Sequence, residues 1–250
     1  MNDFVQAFEE RLQEIETYLD LLEALERQVQ QGTPRIGQAG PTITVQQQRI
    51  LYSSVYLQLY NLVESTITRC VDAVSTAVVE KGPWLPSDLS VNLRREWVRY
   101  IARTHTELTY EHRLESALML CDHLVQILPV SLFTVERGGG GNWDDNTIYD
   151  ISTRLGLSLR VGDEVYHGVK RPFRNDQGSL VFIKSLRNNL AHGSLSFAEC
   201  GEGVIVSDLR DLKDRTALYL REVVASFKAS IEAYEFLLPE RRPQGAGTNA

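Results

Sequence analysis

Long stretches of this chain place apolar residues three or four positions apart, the spacing with which one face of an α-helix is buried. The first stretch runs from the N-terminus to about Gln31 and is carried by Phe4, Phe8, Leu12, Ile15, Leu19 and Leu22. A second runs from Leu51 to Val78. Glycines and prolines interrupt the pattern over Gly32–Pro41. The spacing therefore predicts two long helices joined by a loop.

Shorter helices are expected further along the chain. The prolines of Pro83–Pro86 form a rigid connector, after which Asp88 or Ser90 could cap a third helix. A fourth helix is predicted over about residues 111–128, with Leu114, Leu118, Cys121 and Val125 facing inward. A short helix should follow a cap at Asn142 or Asp144, and the next should bury Leu180, Ile183, Leu186 and Leu190. The last predicted helix starts at Asp208. Residues 159–175 look irregular, and residues 196–206 are compatible with a short strand or hairpin. The pattern predicts an all-α, up-and-down bundle of six or seven helices, with room for a short β-hairpin near residues 196–206.

The domain organisation expected from the same pattern is a single helical domain over residues 1–238. A disordered tail, rich in proline and glycine, is expected over residues 239–250.

Composition limits the function. The 250 residues are 43% hydrophobic and 24% charged, as in ordinary globular proteins that bury a full core. There are 26 basic and 33 acidic residues, which give a net charge of −7. This balance argues against the broad electrostatic grip of a non-specific nucleic-acid binder. Any contact with nucleic acid must therefore be local.

The chain shows no sign of secretion or metal binding. Cys70, Cys121 and Cys200 are odd in number and widely spaced, which favours buried thiols in a reducing cytoplasm over disulfides. The start M-N-D-F lacks the features of a signal peptide, and no window approaches a membrane span. The spacings of His105, His112 and His123 match no helical metal-ligand pair. We expect a cytoplasmic protein without membrane contact, metal site or cofactor.

The densest chemistry lies in the string R-N-N-L-A-H, residues 187–192, which is followed by Gly193. Asn188 and His192, four apart, share a helix face, whereas Arg187 and His192, five apart, are splayed on a regular helix. Gly193 is a natural helix stop, because glycine adopts a left-handed conformation without steric penalty. Either the last turn is distorted, or a second copy of the chain completes the site.

These residue types suit the cleavage of RNA. Arginine offers planar donors to phosphate oxygens, and histidine exchanges a proton at neutral pH. In this chemistry the 2′-hydroxyl of the RNA attacks the neighbouring phosphate, so the protein supplies proton transfer and charge stabilisation without a metal. The alternative is structural: Arg187 pairs with a carboxylate and His192 caps its helix.

The run from Leu186 to Phe197, L-R-N-N-L-A-H-G-S-L-S-F, closely resembles the motif of the HEPN superfamily (higher eukaryotes and prokaryotes nucleotide-binding). The hallmark of that motif is arginine, a polar residue, a short spacer and histidine. A second likeness is Y-N-L-V-E, which ends at Glu64 and is similar to a segment with a glutamate in one bacterial branch. About half of the chain carries no motif of the family.

The resemblance implies that Arg187 and His192 are catalytic and that Asn188 assists them. Glu64 would orient the histidine or pair with Arg187, unless it lies at the solvated edge of its apolar stripe. HEPN domains are helical bundles that commonly pair as two-fold dimers, and many are metal-independent endoribonucleases of toxins or antiviral defence. The resemblance therefore implies a homodimer that cuts RNA to a cyclic phosphate and is restrained by an antitoxin or a defence-system partner protein. The alternatives are a non-catalytic RNA- or nucleotide-binding module and a structural subunit of a larger complex.

Two clusters of cations could contact RNA. Arg95, Arg99 and Arg103 recur every four residues on the third helix and form a basic ridge. Lys170, Arg171 and Arg174 lie beside Tyr166, His167 and Phe173, a mixture of cations and aromatic rings that suits single-stranded RNA. The alternatives are a solvated helix face and an ordinary surface loop. The glycines within Arg137–Asn142 lack the strand and lysine of a phosphate-binding loop, so a hinge is expected there.

Overall fold

A computed structural model describes residues 3–37, 39–104, 106–137, 142–174 and 176–243. The helices of this part of the chain are α1 Asp3–Gln31, α2 Val45–Glu80, α3 Val91–Ile101, α4 Tyr110–Val125, α5 Asp145–Leu155, α6 Asp163–Lys170, α7 Ser179–Ala191, α8 Phe197–Cys200 and α9 Val206–Glu232. A short 3-10 turn, Pro239–Arg241, follows α9. The all-α fold class predicted from apolar spacing is confirmed.

The central element is α2, which packs against α1, α7, α8 and α9. Its buried positions include the neighbouring pairs Leu62–Val63, Thr66–Ile67 and Cys70–Val71, so apolar contact extends around much of the helix. A helix that is apolar on several sides must be covered on several sides. This requirement places α1 and α9 against α2 and brings α7, which carries the R-N-N-L-A-H string, onto the same helix.

Local signals explain where the helices begin. Ser90 caps α3, since its hydroxyl accepts a hydrogen bond from the backbone N–H of Leu93. Asp144 caps α5 in the same way through the backbone N–H of Thr147. Each side chain satisfies a backbone donor that the first helical turn leaves unpaired. Ser90 rather than Asp88, and Asp144 rather than Asn142, are therefore the caps.

The hairpin expected near residues 196–206 is wrong. Residues 197–200 form α8, which opens with a capping box between Ser196 and Glu199, and α9 begins at Val206. Gly201 lets α8 approach α2, because a Cβ on it would lie 2.0 Å from the carbonyl oxygen of Arg49. The S-x-x-E spacing of Ser196 and Glu199 predicts the helix start that is found. The β-branched residues Val204 and Ile205 lie between α8 and α9 and form no strand.

Two further expectations require correction. Residues 163–170 form α6 within the stretch that looked irregular. On α4 the apolar stripe faces solvent: Leu114 is 48%, Leu118 55% and Val125 80% exposed. Cys121 on the same stripe is exposed, in contrast to buried Cys70 and Cys200. Periodicity identifies an apolar helix face but does not show which element covers it.

The described chain continues beyond the expected domain boundary at residue 238. The 3-10 turn Pro239–Arg241 is tied to the start of α3, where the guanidinium of Arg241 lies 3.1 Å from the carboxylate of Asp88. The remainder of the expected tail, residues 244–250, lies outside the described residues, as do His105, residues 138–141 and Asn175.

No helix in the described ranges has the length and apolarity needed to cross a membrane.

The central position of α2 can be tested by substitution. Leu62 on α2 is 0% exposed, and Leu118 on α4 is 55% exposed. Leu62→Ala should lower the free energy of unfolding by about 2–5 kcal/mol, because it leaves a cavity in a packed core. The same change at Leu118 should cost no more than about 0.5 kcal/mol. Urea denaturation followed by circular dichroism compares the two variants, and equal losses would contradict the packing described.

Candidate functional site

The R-N-N-L-A-H string ends α7 in a regular way. The backbone N–H of His192 donates to the carbonyl of Asn188 at 2.9 Å, as in an ordinary helix. Gly193 has φ +70°, and its N–H donates to Leu190 while that of Ser194 donates to Asn189. These bonds form a Schellman motif, which requires a left-handed residue at the glycine position. The last turn is therefore undistorted, and Arg187 and His192 remain about 140° apart around the helix axis.

His192 is the last residue of this regular turn. Its backbone serves as the C-cap of α7, and its side chain is exposed. The imidazole makes no hydrogen bond, ion pair or ring contact with any described residue. It is therefore accessible to a molecule that reaches the end of α7.

Arg187 is held against α2. Its guanidinium carbon lies 4.4 Å above the centroid of the Tyr60 ring, which is close enough for a cation–π interaction. One guanidinium nitrogen lies 3.8 Å from a carboxylate oxygen of Glu64, an ion pair too long for a hydrogen bond. The Arg187 side chain is 28% exposed. The structural alternative is thus present in part, because Arg187 has a carboxylate neighbour, yet the guanidinium remains accessible.

Asn188 links Arg187 to the segment before α5. Its side-chain oxygen accepts a hydrogen bond from Arg187 at 2.9 Å, and its amide nitrogen donates to the side-chain oxygen of Asn142 at 3.0 Å. The next residue, Trp143, donates its backbone N–H to the hydroxyl of Tyr60 at 3.4 Å. One short segment therefore touches both the amide and the aromatic ring that hold Arg187.

Tyr60 presents a neutral ring to this cation. Burial raises the pKa of its hydroxyl, although the N–H of Trp143 and the charge of Arg187 act in the opposite direction. The phenol therefore stays protonated at neutral pH. Tyr60 was missed by sequence reasoning, but its position four residues before Glu64 places both side chains on one face of α2.

The start of α5 and its N-cap are anchored by two ion pairs. Lys184 on α7 bonds to the carboxylate of Asp144, and Lys170 at the end of α6 lies 3.1 Å from Asp145. Burial of Asp144 opposes its ionisation, but hydrogen bonds from Lys184 and Thr147 outweigh burial and hold the pKa of Asp144 below its ordinary value. The carboxylate therefore stays charged and ties α5 to α7.

The comparison with protein families identifies the family of the chain. A family model described as HEPN_MAE_28990-like HEPN matches residues 2–236. The chain belongs to this HEPN family. The matched range contains both α2 with Glu64 and α7 with Arg187, Asn188 and His192. No curated protein and no solved structure matches the chain. The protein is thus a HEPN module, from a superfamily that includes ribonucleases.

Two of the three cations expected to bind RNA near this HEPN site are engaged within the protein. Lys170 contacts Asp145 and lies 4.7 Å from the centroid of the Tyr166 ring. Arg174 lies 2.5 Å from the carboxylate of Asp208. The third cation, Arg171, is exposed, and its side chain has no polar partner within the described ranges.

The α3 cations are not brought to the HEPN motif. Arg99 lies 2.5 Å from Glu96, a carboxylate that is 2% exposed and also contacts Arg154 on α5. Arg95 is exposed, and Arg103 falls after α3, which ends at Ile101. Within the described chain, neither Arg95 nor Arg99 contacts the residues around Arg187. The basic ridge is therefore shorter than its spacing predicts.

Across the described residues, no three or more histidine, cysteine or carboxylate side chains lie close enough together to hold a metal ion.

The charge of Asp144 can be tested through pH. Asp144→Asn preserves a good helix cap but removes the charge, so at pH 7 it should lower the free energy of unfolding by about 2 kcal/mol. Because the folded pKa of Asp144 is depressed, the carboxylate stabilises fully above the unfolded value of 3.8 and loses this effect as pH falls through the lower folded value.

Urea denaturation of the wild type and of Asp144→Asn between pH 7 and pH 2.5 measures this difference. It should shrink below pH 3.8. Asp122→Asn on exposed α4 is the matched control and should show little difference at any pH. A penalty for Asp144→Asn that is constant down to the lowest pH would contradict the ion pair.

Proposed function

We propose that this HEPN protein is a metal-independent endoribonuclease that works as a homodimer. The observation that supports the proposal best is the end of α7, where a guanidinium held by α2 and an exposed imidazole flank an undistorted turn. The first group can hold and neutralise a phosphate, and the second can transfer a proton.

In the proposed reaction the 2′-hydroxyl oxygen of the RNA attacks the adjacent phosphorus. A bond forms between them as the bond from phosphorus to the 5′-oxygen breaks, which leaves a 2′,3′-cyclic phosphate and a 5′-hydroxyl. His192 takes the proton of the attacking hydroxyl or supplies one to the leaving oxygen, and solvent exchanges the other. Arg187 neutralises the charge that gathers on the phosphoryl oxygens. Asn188 orients Arg187.

The regular turn at the end of α7 supports the proposal of two copies. On one helix Arg187 is directed toward Tyr60 and Glu64, whereas His192 is about 140° away around the axis. A two-fold dimer can combine the arginine of one copy with the histidine of the other. The proposed active site is therefore composite.

The proposed RNA contact is local. The net charge is −7, and the protein's own acidic residues engage Lys170, Arg174 and Arg99. Arg171 and Arg95 remain as exposed cations for the RNA backbone. Contacts of this kind position a strand without reading its bases.

The proposed biological role is that of a toxin or an antiviral defence effector in the cytoplasm. It is supported by the resemblance of the motif to those of such ribonucleases. An enzyme that reads few bases would also cut cellular RNA, so an antitoxin or defence-system partner protein would have to restrain it.

A non-catalytic RNA- or nucleotide-binding module is the second candidate. The observation that favours it is the divergence of Arg187 and His192 within a single chain. The two candidates differ in one respect, since only the ribonuclease yields RNA fragments.

Cleavage can be measured with purified protein and a 5′-labelled RNA of mixed sequence in the presence of EDTA. We expect fragments that end in a cyclic phosphate. His192→Ala should lower the cleavage rate at least about 100-fold, because it removes the proton-transferring group. His112→Ala, an exposed histidine on α4, is the matched control and should cleave as the wild type does. Binding without fragments would instead support the binding module.

The biological role can be tested by expressing the chain in bacteria. Wild-type protein should arrest growth, and Arg187→Ala and His192→Ala should each relieve the arrest at equal protein levels. Growth inhibition that depends on neither residue would instead indicate a structural subunit.

A further inference from the structure

Asn142 lies 46 positions before Asn188 in the sequence but bonds to it in the fold. We infer that Asn142 is a positioning residue, which acts through Asn188 to fix the orientation of the Arg187 guanidinium. This inference rests on the proposed function only in its consequence for catalysis. The positioning itself is a property of the folded chain.

The directions of the two hydrogen bonds that link Arg187, Asn188 and Asn142 follow from Arg187. A guanidinium has donors only, so Asn188 must turn its side-chain oxygen toward Arg187. The amide nitrogen of Asn188 then points the other way and needs an acceptor. Asn142 supplies that acceptor with its own side-chain oxygen, at 3.0 Å. If the acceptor were absent, the amide of Asn188 would lose the partner that keeps its oxygen on Arg187.

The second contact of Arg187 depends on the same segment. The ring of Tyr60, 1% exposed, lies under the guanidinium, and its hydroxyl accepts from the backbone N–H of Trp143. Trp143 is itself 2% exposed. Asn142 is therefore followed directly by Trp143, a buried residue whose backbone N–H is hydrogen-bonded to Tyr60, the aromatic partner of Arg187.

The segment that begins at Asn142 is firmly placed. Asp144 and Asp145, each 7% exposed, bond to Lys184 and Lys170. The residues that follow Asn142 are thus held in place by two ion pairs. The Asn142 side chain can therefore orient Asn188, because the segment that carries it has little conformational freedom left to lose.

The arrangement leaves Arg187 able to bind phosphate. One of its donors is used by Asn188, and the Glu64 carboxylate at 3.8 Å is beyond hydrogen-bond length. The remaining donors can meet phosphate oxygens with the guanidinium already oriented. Loss of Asn142 should therefore affect the rate of the reacting complex more than the affinity for RNA.

The test uses the full chain and two readouts. The first is the rotation of the Arg187 guanidinium about its Cζ–Nε bond, measured by ¹⁵N NMR exchange. Asn142→Ala should speed this rotation about five-fold, the effect of losing one hydrogen bond of ordinary strength. Asn142→Asp keeps the acceptor oxygen and should restore the slower rotation. Asn146→Ala removes an asparagine that bonds to Lys170, and it should leave the rotation of Arg187 unchanged.

The second readout is cleavage of the labelled mixed-sequence RNA. Asn142→Ala should lower kcat about five-fold with little change in KM, and Asn142→Asp should recover most of the loss. If Asn142→Ala does not fold, Asn142→Ser, whose hydroxyl is too short to reach Asn188, carries the same expectations.

The outcomes separate the two proposals. Unchanged rotation of Arg187 in Asn142→Ala, or an equal change in Asn146→Ala, overturns the positioning role. If the wild type cuts no RNA but Asn142→Ala still speeds the rotation, the ribonuclease proposal fails and the positioning role stands.

Discussion

Burial of α2 on several sides is the constraint on which the rest of the structure depends. Its apolar positions extend around much of the helix, so α1, α7, α8 and α9 must all pack against it. The same packing brings Tyr60 and Glu64 of α2 to Arg187 of α7. The packing that forms the core therefore also places the Tyr60 ring and the Glu64 carboxylate beside Arg187.

Arg187 is oriented by its neighbours, but no carboxylate lies within hydrogen-bond distance of its guanidinium in the described part of the chain. A carboxylate in hydrogen-bond contact would occupy its donors and compete with a phosphate. Glu64 instead remains 3.8 Å away, while the neutral amide of Asn188 accepts a hydrogen bond at 2.9 Å and the face of the Tyr60 ring lies under the guanidinium. Such an arrangement keeps the positive charge in place and leaves donors free. It differs from Arg174, whose donors are committed to Asp208 at 2.5 Å.

Sequence reasoning succeeded where a local rule sufficed. The long helices and the glycine stop at residue 193 follow from spacing and backbone chemistry, and the caps Ser90 and Asp144 were each one of two candidates. It failed where tertiary contacts decide. The outward apolar face of α4 depends on which helices cover it, and the bond from Asn188 to Asn142 joins residues 46 positions apart, a distance over which no periodic pattern extends. The capping box of α8 is a local signal that correctly indicates a helix where a hairpin was expected.

If an arginine of one copy and a histidine of another form one active site, two inactive variants should restore activity when they are mixed. Arg187→Ala and His192→Ala should each be inactive alone. Co-expressed in equal amounts, half of the dimers are mixed and each carries one intact pair, so RNA cleavage should recover to about a quarter of the wild-type rate. A mixture that stays as inactive as the separate variants would contradict the composite site.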